Sequence, residues 1–382
     1  MSTRSPLHSL HEQAGAEFQP YAQTPIVSTF GEPQAEYAAI RKSAVIIDFP
    51  QRGILELAGK DRLPFLNNLL TNQTWDKQSK TGLAPGGAVY TFFLNTKGRI
   101  VADVNVIELG DRTLLEMDAR VVEPVRQAFD KFLFAEQVKI ASRVGELHEL
   151  FITGPRAVEA LNRSVESPPG ELEPMSSAAA GLVGHEVVVF RDDICGVPGY
   201  VLICASDAAA AIWKHFTHTT EAPTNAPEET DYRFRGLARP AGWAVFNTTR
   251  IEAGRPLFGI DFDDSILPAE TGQLARAVSF TKGCYLGQEI VARMHARGQV
   301  AKQLVGIRMD ENVLPFAGAK VYDDQQNEVG GVTSSTVSPI LSGACLCLGY
   351  VKRPFIPAGS KLAIPAEGKM APAHVSELPF VQ

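Results

Sequence analysis

Three short runs between Arg250 and Arg297 hold the densest set of groups able to do chemistry. They are Arg250-Ile251-Glu252-Ala253-Gly254, Leu267-Pro268-Ala269-Glu270, and Lys282-Gly283-Cys284-Tyr285-Leu286-Gly287-Gln288-Glu289-Ile290-Val291-Ala292-Arg293. Gly283 and Gly287 bracket a tight turn that presents Cys284 and Tyr285, and Gln288 to Arg293 has helical character. A thiol just before a helix N-terminus and beside Lys282 has its thiolate stabilised by the helix dipole and by the cation. That is the setting of a nucleophilic or metal-ligating cysteine. The plainer reading of Cys284 is a small buried residue in a turn, and that of Arg250 is an ion pair with a neighbouring acid. The other cysteines, at 195, 204, 345 and 347, form no C-x-x-C pair. Cys345 and Cys347 alternate around Leu346 in an apolar run, so they share one face of a strand and read as core thiols. His215 and His218 end a helical pattern with no second pair of ligands nearby.

These groups need a frame, and the chain supplies strand–helix units. Ile54–Leu57 reads as a strand stopped by Gly59, and Asp61 is placed to cap a helix carrying Leu63, Leu66, Leu69 and Leu70. Ala88–Leu94 and Arg99–Leu109 read as strands joined by the turn Asn95-Thr96-Lys97-Gly98. Leu114–Met117 is a further strand, and Val121–Phe134 has helical periodicity. The segment Leu57–Asn67 then aligns without gaps on Ile152–Asn162, each reading strand, glycine turn, helix. Tyr200–Cys204 with the helix Asp207–Phe216 echoes Leu114–Met117 with Val121–Phe132, which points to two related α+β units. Ser164–Gly181 and Thr219–Asp231, rich in Pro, Glu, Ser, Thr and Ala, read as mobile loops. Beyond residue 300, Leu304–Met309, Lys320–Tyr322, Val329–Thr333, Ala344–Val351 and Lys361–Ile364 are short strand candidates. Five or six such strands in so short a stretch favour a small closed barrel or sandwich.

Lys282-Gly-Cys-Tyr-x-Gly-Gln-Glu289 resembles the signature of the YgfZ-type proteins, relatives of the glycine-cleavage T-protein (aminomethyltransferase). The likeness spans nearly the whole chain. Leu7–Tyr21 resembles the T-protein N-terminus. Arg250–Gly254, Phe258-Gly259-x-Asp261 and Pro268-x-Glu270 resemble its central motifs. Leu304-Val305-Gly306, Val329–Ser334, Ser338-Pro339, Leu348–Val351 and Pro379-Phe380 resemble its C-terminal barrel. The resemblance implies an α+β fold of two intertwined folate-binding subdomains over residues 1–300, followed by a small β-barrel domain at 301–382. It also implies tetrahydrofolate as cofactor, with Tyr90 and Asp103 lining the site and Asp103 and Cys284 in catalytic roles. Asp103 is the second aspartate of the family's Gly-Gly-Ile-x-Asp-Asp pattern; the first is Ala102 here. Arg250 matches a family arginine near the ligand. Where the family has Thr-Gly-Glu-x-Gly-x-Glu, this chain has Cys195-Gly196-Val197-Pro198-Gly199-Tyr200-Val201. A pterin edge facing Val201 would lack its carboxylate, which costs roughly 1–3 kcal/mol. Glu186 and Glu252 are the nearest replacements along the chain.

The leading expectation is therefore a tetrahydrofolate-binding factor for iron–sulfur cluster assembly or repair, with Cys284 as its functional thiol and iron–sulfur proteins as clients. The first alternative is an aminomethyltransferase moving a one-carbon unit from a lipoyl-bound aminomethyl group to tetrahydrofolate. The second is a non-catalytic factor linked to tRNA modification. A formal charge of −7 argues against broad nucleic-acid binding. No apolar run is long enough for a membrane span. Five scattered cysteines, with no leader-like start, fit the reducing cytoplasm.

Overall fold

The computed structural model of the chain describes residues 4–166, 171–218, 236–298 and 300–381. The chain opens with α1 (His8–Gln13), the hairpin of β1 (Glu17–Tyr21) and β2 (Thr24–Thr29), α2 (Pro33–Lys42) and the buried strand β3 (Val45–Asp48). A strand–helix unit follows: β4 (Arg52–Ala58), α3 (Arg62–Leu69), a small ribbon of β5 (Trp75–Asp76) and β6 (Thr81–Gly82), then β7 (Ala88–Leu94), β8 (Ile100–Glu108), β9 (Arg112–Asp118) and α4 (Ala119–Asp130). The second α+β repeat runs β10 (Lys139–Ser142), β11 (Leu147–Thr153), α5 (Ala157–Asn162), β12 (Ser177–Leu182), β13 (His185–Arg191), β14 (Gly199–Ala205) and α6 (Ala209–His218). After β15 (Arg239–Pro240) come α7 (Trp243–Glu252), α8 (Leu274–Ala277) and α9 (Gln288–Arg297). Six strands finish the chain: β16 (Lys302–Met309), β17 (Lys320–Tyr322), β18 (Glu328–Ser338), β19 (Ala344–Lys352), β20 (Lys361–Ala366) and β21 (Lys369–Ser376), closed into a barrel of order β16-β19-β18-β17-β20-β21.

The repeat seen in the sequence is a repeat of topology. One sheet has the order β10-β4-β9-β8-β7 and the other β12-β13-β14-β11-β3-β15. Each places its long first strand (β4 or β11) antiparallel to its fourth (β9 or β14). Beyond that first strand the pattern crosses over. β10, which precedes β11, pairs with β4, and β3, which precedes β4, pairs with β11. Each repeat thus lends one short strand to the other's sheet, and this makes them intertwined. The two aligned glycines have a common cause. Gly59 (φ 110°) and Gly154 (φ 130°) lie in the left-handed half of backbone space, where a Cβ would stand 2.0 Å from Gln137 O and 2.3 Å from Ser43 O.

Two local expectations change, and one strand was not among the candidates. Asp61 does not cap α3; its Oδ2 accepts the Gln137 backbone N–H at 2.8 Å, tying the strand–helix turn to the approach of β10. Part of the stretch read as a loop, Ser164–Gly181, is strand: β12 pairs along its length with β13. Its small side chains give no apolar alternation to read. The strand missing from the candidates is the last of the barrel, β21, which carries Pro372. Pro372 sits opposite Ala363, and its carbonyl accepts Asp310 N–H. Residues 167–170 of the first expected loop, and the whole of Thr219–Asp231, lie outside the described residues.

The chain packs as two compact units. One comprises Met1–Arg62, Leu83–Ala88 and Asn105–Phe246, and the other Leu63–Gly82, Val89–Val104 and Asn247–Gln382. The first unit has a core built around Ile46, Leu150, Ile152, Leu202, Trp213 and Phe216. In the second, the barrel closes over Ile307, Val321, Val332, Val351 and Ile364, with Cys345 and Cys347 both inside. Burial pushes the Cys347 thiol up to about 12. Among the described residues, no helix is long and apolar enough to cross a membrane.

Candidate functional site

In the second unit, the hairpin β7–β8 places Tyr90 and Asp103 on adjacent strands, both 6% exposed. The Tyr90 hydroxyl donates to Asp103 Oδ2 at 3.1 Å. The Arg276 guanidinium lies 4.0 Å from the Tyr90 ring centre, a cation–π contact. Asn72 sets this arrangement. Its Nδ2 donates at 3.0 Å to the backbone carbonyls of both Tyr90 and Arg276, and its own N–H donates to Thr91 Oγ1. Thr71 Oγ1 donates to Ala277 O, so the end of α8 is held at Arg276 and at the residue after it. The result is a buried carboxylate held by a phenol, beside an aromatic ring flanked by a cation. Arg276 and Asn72 were not singled out in the sequence, because their partners lie far away along the chain.

Arg250 and Glu252, on the last turn of α7, face the barrel within the same unit. The Arg250 guanidinium is fully buried, paired with Asp261, and donates to Asn247 Oδ1 and Ser334 Oγ. Asp261 in turn accepts from Thr333 and Ser334. Glu252 is fully buried too. Its carboxylate accepts from Ser338, and its carbonyl accepts the N–H groups of Phe380 and Val381. Both residues therefore join α7 to the barrel.

The Lys282–Glu289 run is built as a clasp. Lys282 turns its ammonium inward, donating to Asn67 O at 2.6 Å, to Leu70 O, and to Asn72 O at 3.0 Å. Asn67 O lacks its helical donor because Thr71 N–H goes to Phe92 O, so the lysine supplies one of the partners that the end of α3 needs. Burial, then the charge of Lys77, pushes the Lys282 ammonium down to about 7. Tyr285 is buried under the lysine, whose Nζ is 4.9 Å from the ring centre. Gly287 begins α9 in the left-handed conformation (φ 80°), where a Cβ would meet Asn95 O at 2.7 Å. Cys284 is a free, exposed thiol on the outside of this turn. The cation beside it in the sequence is thus committed to carbonyl oxygens.

In the first unit, Val201 of β14 lies between Phe151 and Phe190 on the neighbouring strands, so the position carries packing. Glu186, one candidate replacement carboxylate, is an exposed side chain near Arg112. It borders a cavity of about 670 Å³ with Glu56, Arg112, Leu114, Arg143 and Ile203. A buried polar cluster lies along the same sheet faces. Asn105 Nδ2 donates to Glu116 Oε2 at 2.8 Å, and Arg52 pairs with the other oxygen of Glu116. Glu149, 2% exposed, lies against the Glu116 carboxylate, and Asn105 Oδ1 is unpartnered. Burial first, and then the charge of Glu116, hold the Glu149 carboxyl well above the usual range. The sequence did carry a signal at Glu149, the one Asp, Glu, Lys or Arg of the otherwise apolar strand β11.

Two crossed α+β repeats and a terminal barrel define a fold shared with a solved enzyme, the glycine cleavage system aminomethyltransferase T from Bartonella henselae. The TM-score is 0.86 at 22% identity, covering 100% of this chain and 98% of that one. Residues 7–282 match the GCVT N-terminal domain and residues 302–382 the glycine cleavage T-protein C-terminal barrel domain; the chain belongs to the glycine-cleavage T-protein family. It is 28% identical over 378 residues to the aminomethyltransferase of Chloroherpeton thalassium, covering 99% of this chain and 98% of the relative. The corresponding protein of Geobacillus kaustophilus is 29% identical over 383 residues, covering 100% of this chain and 99% of the relative. These matches overturn the assignment to the YgfZ-type branch, and with it the expected role in iron–sulfur assembly or repair. The matched relatives are aminomethyltransferases from end to end. Among the described residues, moreover, no group of three or more His, Cys, Asp or Glu could hold a metal ion. Cys345 and Cys347 are sealed in the barrel, and Cys284 stands without ligating neighbours of that kind. The tRNA-modification link rested on the same branch and goes with it.

Proposed function

We propose that the chain is a folate-dependent aminomethyltransferase, taking a one-carbon unit from a lipoyl-bound aminomethyl group and handing it to tetrahydrofolate. The observation that carries this reading is the buried Tyr90–Asp103 pair with Arg276 over the ring. Tetrahydrofolate is the acceptor substrate and supplies the nucleophilic nitrogens. Its flat, partly aromatic ring system suits a platform of the Tyr90 kind, and its amine nitrogens need a proton acceptor close by. Asp103 is the group that holds or receives that proton, and Tyr90 positions its carboxylate through the Oδ2 hydrogen bond. Of the residues carried over from the family, Tyr90 and Asp103 are the ones given contact with folate. Arg250 and Glu252 frame the site through the barrel. Aminomethyl transfer needs no thiol at position 284, so Cys284 is given no step. The reading takes residues 1–300 as the folate-binding region and 301–382 as the barrel domain. Five free cysteines support placing the protein in a reducing, cytoplasmic setting.

The test is calorimetric titration of the full chain with tetrahydrofolate, beside Asp103→Ala. Saturable binding that weakens by roughly tenfold or more in the variant supports the reading. Absence of binding by the wild type would sink it.

A further inference from the structure

We propose that Arg276 is a further positioning residue for the transfer reaction, acting on Asp103 through the Tyr90 ring, and that Asn72 is the residue that places Arg276. This deepens the proposed function and rests on it. The Arg276 guanidinium lies 4.0 Å from the ring centre of Tyr90, whose hydroxyl donates to Asp103 Oδ2 at 3.1 Å. A cation on the face of a phenol draws electron density from the ring and its oxygen, so the O–H becomes a stronger donor to the carboxylate. The charge of Arg276 thus helps to fix the carboxylate that takes the amine proton. The stack itself is aimed by the main chain. One nitrogen, Asn72 Nδ2, donates at 3.0 Å to the backbone carbonyls of both stacked residues, Tyr90 on β7 and Arg276 on α8. A primary amide is the uncharged side-chain group that carries two N–H donors on one atom. Its orientation is set, because Oδ1 accepts the Gln73 N–H at 2.9 Å and so turns the NH2 group toward the two carbonyls. The backbone of Asn72 is fixed as well, its N–H donating to Thr91 Oγ1 and its carbonyl accepting from Lys282 Nζ. Thr71 Oγ1 holds Ala277 O independently, so loss of the Asn72 amide loosens Arg276 without detaching α8. A side chain that merely packs on the ring needs only volume there; a positioning role needs the charge.

The experiment measures kcat and KM for tetrahydrofolate in one-carbon transfer from an aminomethyl-lipoyl carrier. The full chain is used as wild type, Arg276→Met, Arg276→Lys, Asn72→Ser and the double variant Arg276→Met with Asn72→Ser, beside the melting temperature of each. Arg276→Met fills the space over the ring without a charge, and is expected to lower kcat about 3–30-fold while KM stays within about twofold. Arg276→Lys should recover part of that loss. Asn72→Ser alone is expected to lower kcat about 3–10-fold, but by less than about twofold when Arg276 is already Met, because it acts through the arginine. Full kcat in Arg276→Met, a rise in KM alone, or losses that multiply in the double variant would each refute this assignment and leave the proposed function standing. Should Asn72→Ser fail to fold, the Arg276 series decides the role of the charge by itself. No transfer by wild type would remove the proposed function, and this inference with it.

Discussion

Replacing Lys282 with Met separates two accounts of the Lys282–Glu289 run, one in which the lysine activates Cys284 and one in which it holds α3. Lys282 Nζ donates to three backbone carbonyls, at Asn67, Leu70 and Asn72. Met fills the volume but donates nothing, so three buried acceptors lose their partner. At about 1 kcal/mol each this comes to about 3 kcal/mol. Part is offset because Met need not be stripped of water as an ammonium is, leaving a net loss of about 2 kcal/mol. In a unit of this size that corresponds to a fall in melting temperature of about 4–8 °C. The assay is thermal unfolding followed by circular dichroism, together with the rate of Cys284 alkylation by iodoacetamide at fixed pH. The clasp account expects the fall in melting temperature and no slowing of alkylation. A variant as stable as wild type, with alkylation slowed tenfold or more, would refute it and return the lysine to the thiol.

Three further outcomes follow from the geometry. Gly287→Ala puts a side chain on a residue at φ 80° and within 2.7 Å of Asn95 O; a loss of ~2 kcal/mol is expected in denaturant melts, with Gly283→Ala, where φ is ordinary, as the milder control. Arg250→Ala leaves Asp261 buried without its cation, and the expected loss is about 3–5 kcal/mol in the same melts. Asp48 is fully enclosed and accepts from His11 at 2.9 Å, His148 at 2.6 Å and Ser5. Burial alone would raise its carboxyl, but the His148 charge and the two imidazole hydrogen bonds win and hold it well below the usual range. Because the folded carboxyl is the stronger acid, its contribution is complete above about pH 4 and is lost as the pH falls toward its depressed value. Asp48→Asn should be less stable than wild type at pH 7 and should show a flatter fall between about pH 4 and 2 in pH-dependent melts.

What could be read along the chain was what local geometry decides. The hairpin at Asn95–Gly98 and the strand–glycine–helix turns at Gly59 and Gly154 depend on a few neighbouring residues, and they stand where the sequence put them. The crossing of β3 and β10 between the two sheets was not legible. Each is four residues long, and pairing with a partner some 80 to 110 residues away leaves no mark on local pattern. Lys282 shows the same limit at the site. Adjacency to Cys284 in sequence suggested adjacency of side chains, but the tight turn sends one inward and the other outward. Tyr90 and Asp103 were each named only through likeness to a family, and their hydrogen bond is seen only in the structure. Amphipathic alternation on β8 accounts equally well for an exposed aspartate, whereas the structure buries it.

Transfer itself is the most direct test of the central claim. Supplied with a lipoyl carrier bearing an aminomethyl group and with tetrahydrofolate, the full chain is expected to form a one-carbon bridge across the folate nitrogens, releasing the free thiol and, by atom balance, ammonia. Ammonia release should require tetrahydrofolate, should fall at least tenfold in Asp103→Asn, and should be retained in Cys284→Ala. Tetrahydrofolate-dependent ammonia release that is unchanged in Asp103→Asn, or that vanishes in Cys284→Ala, would contradict the account of the site. No release from wild type would contradict the function.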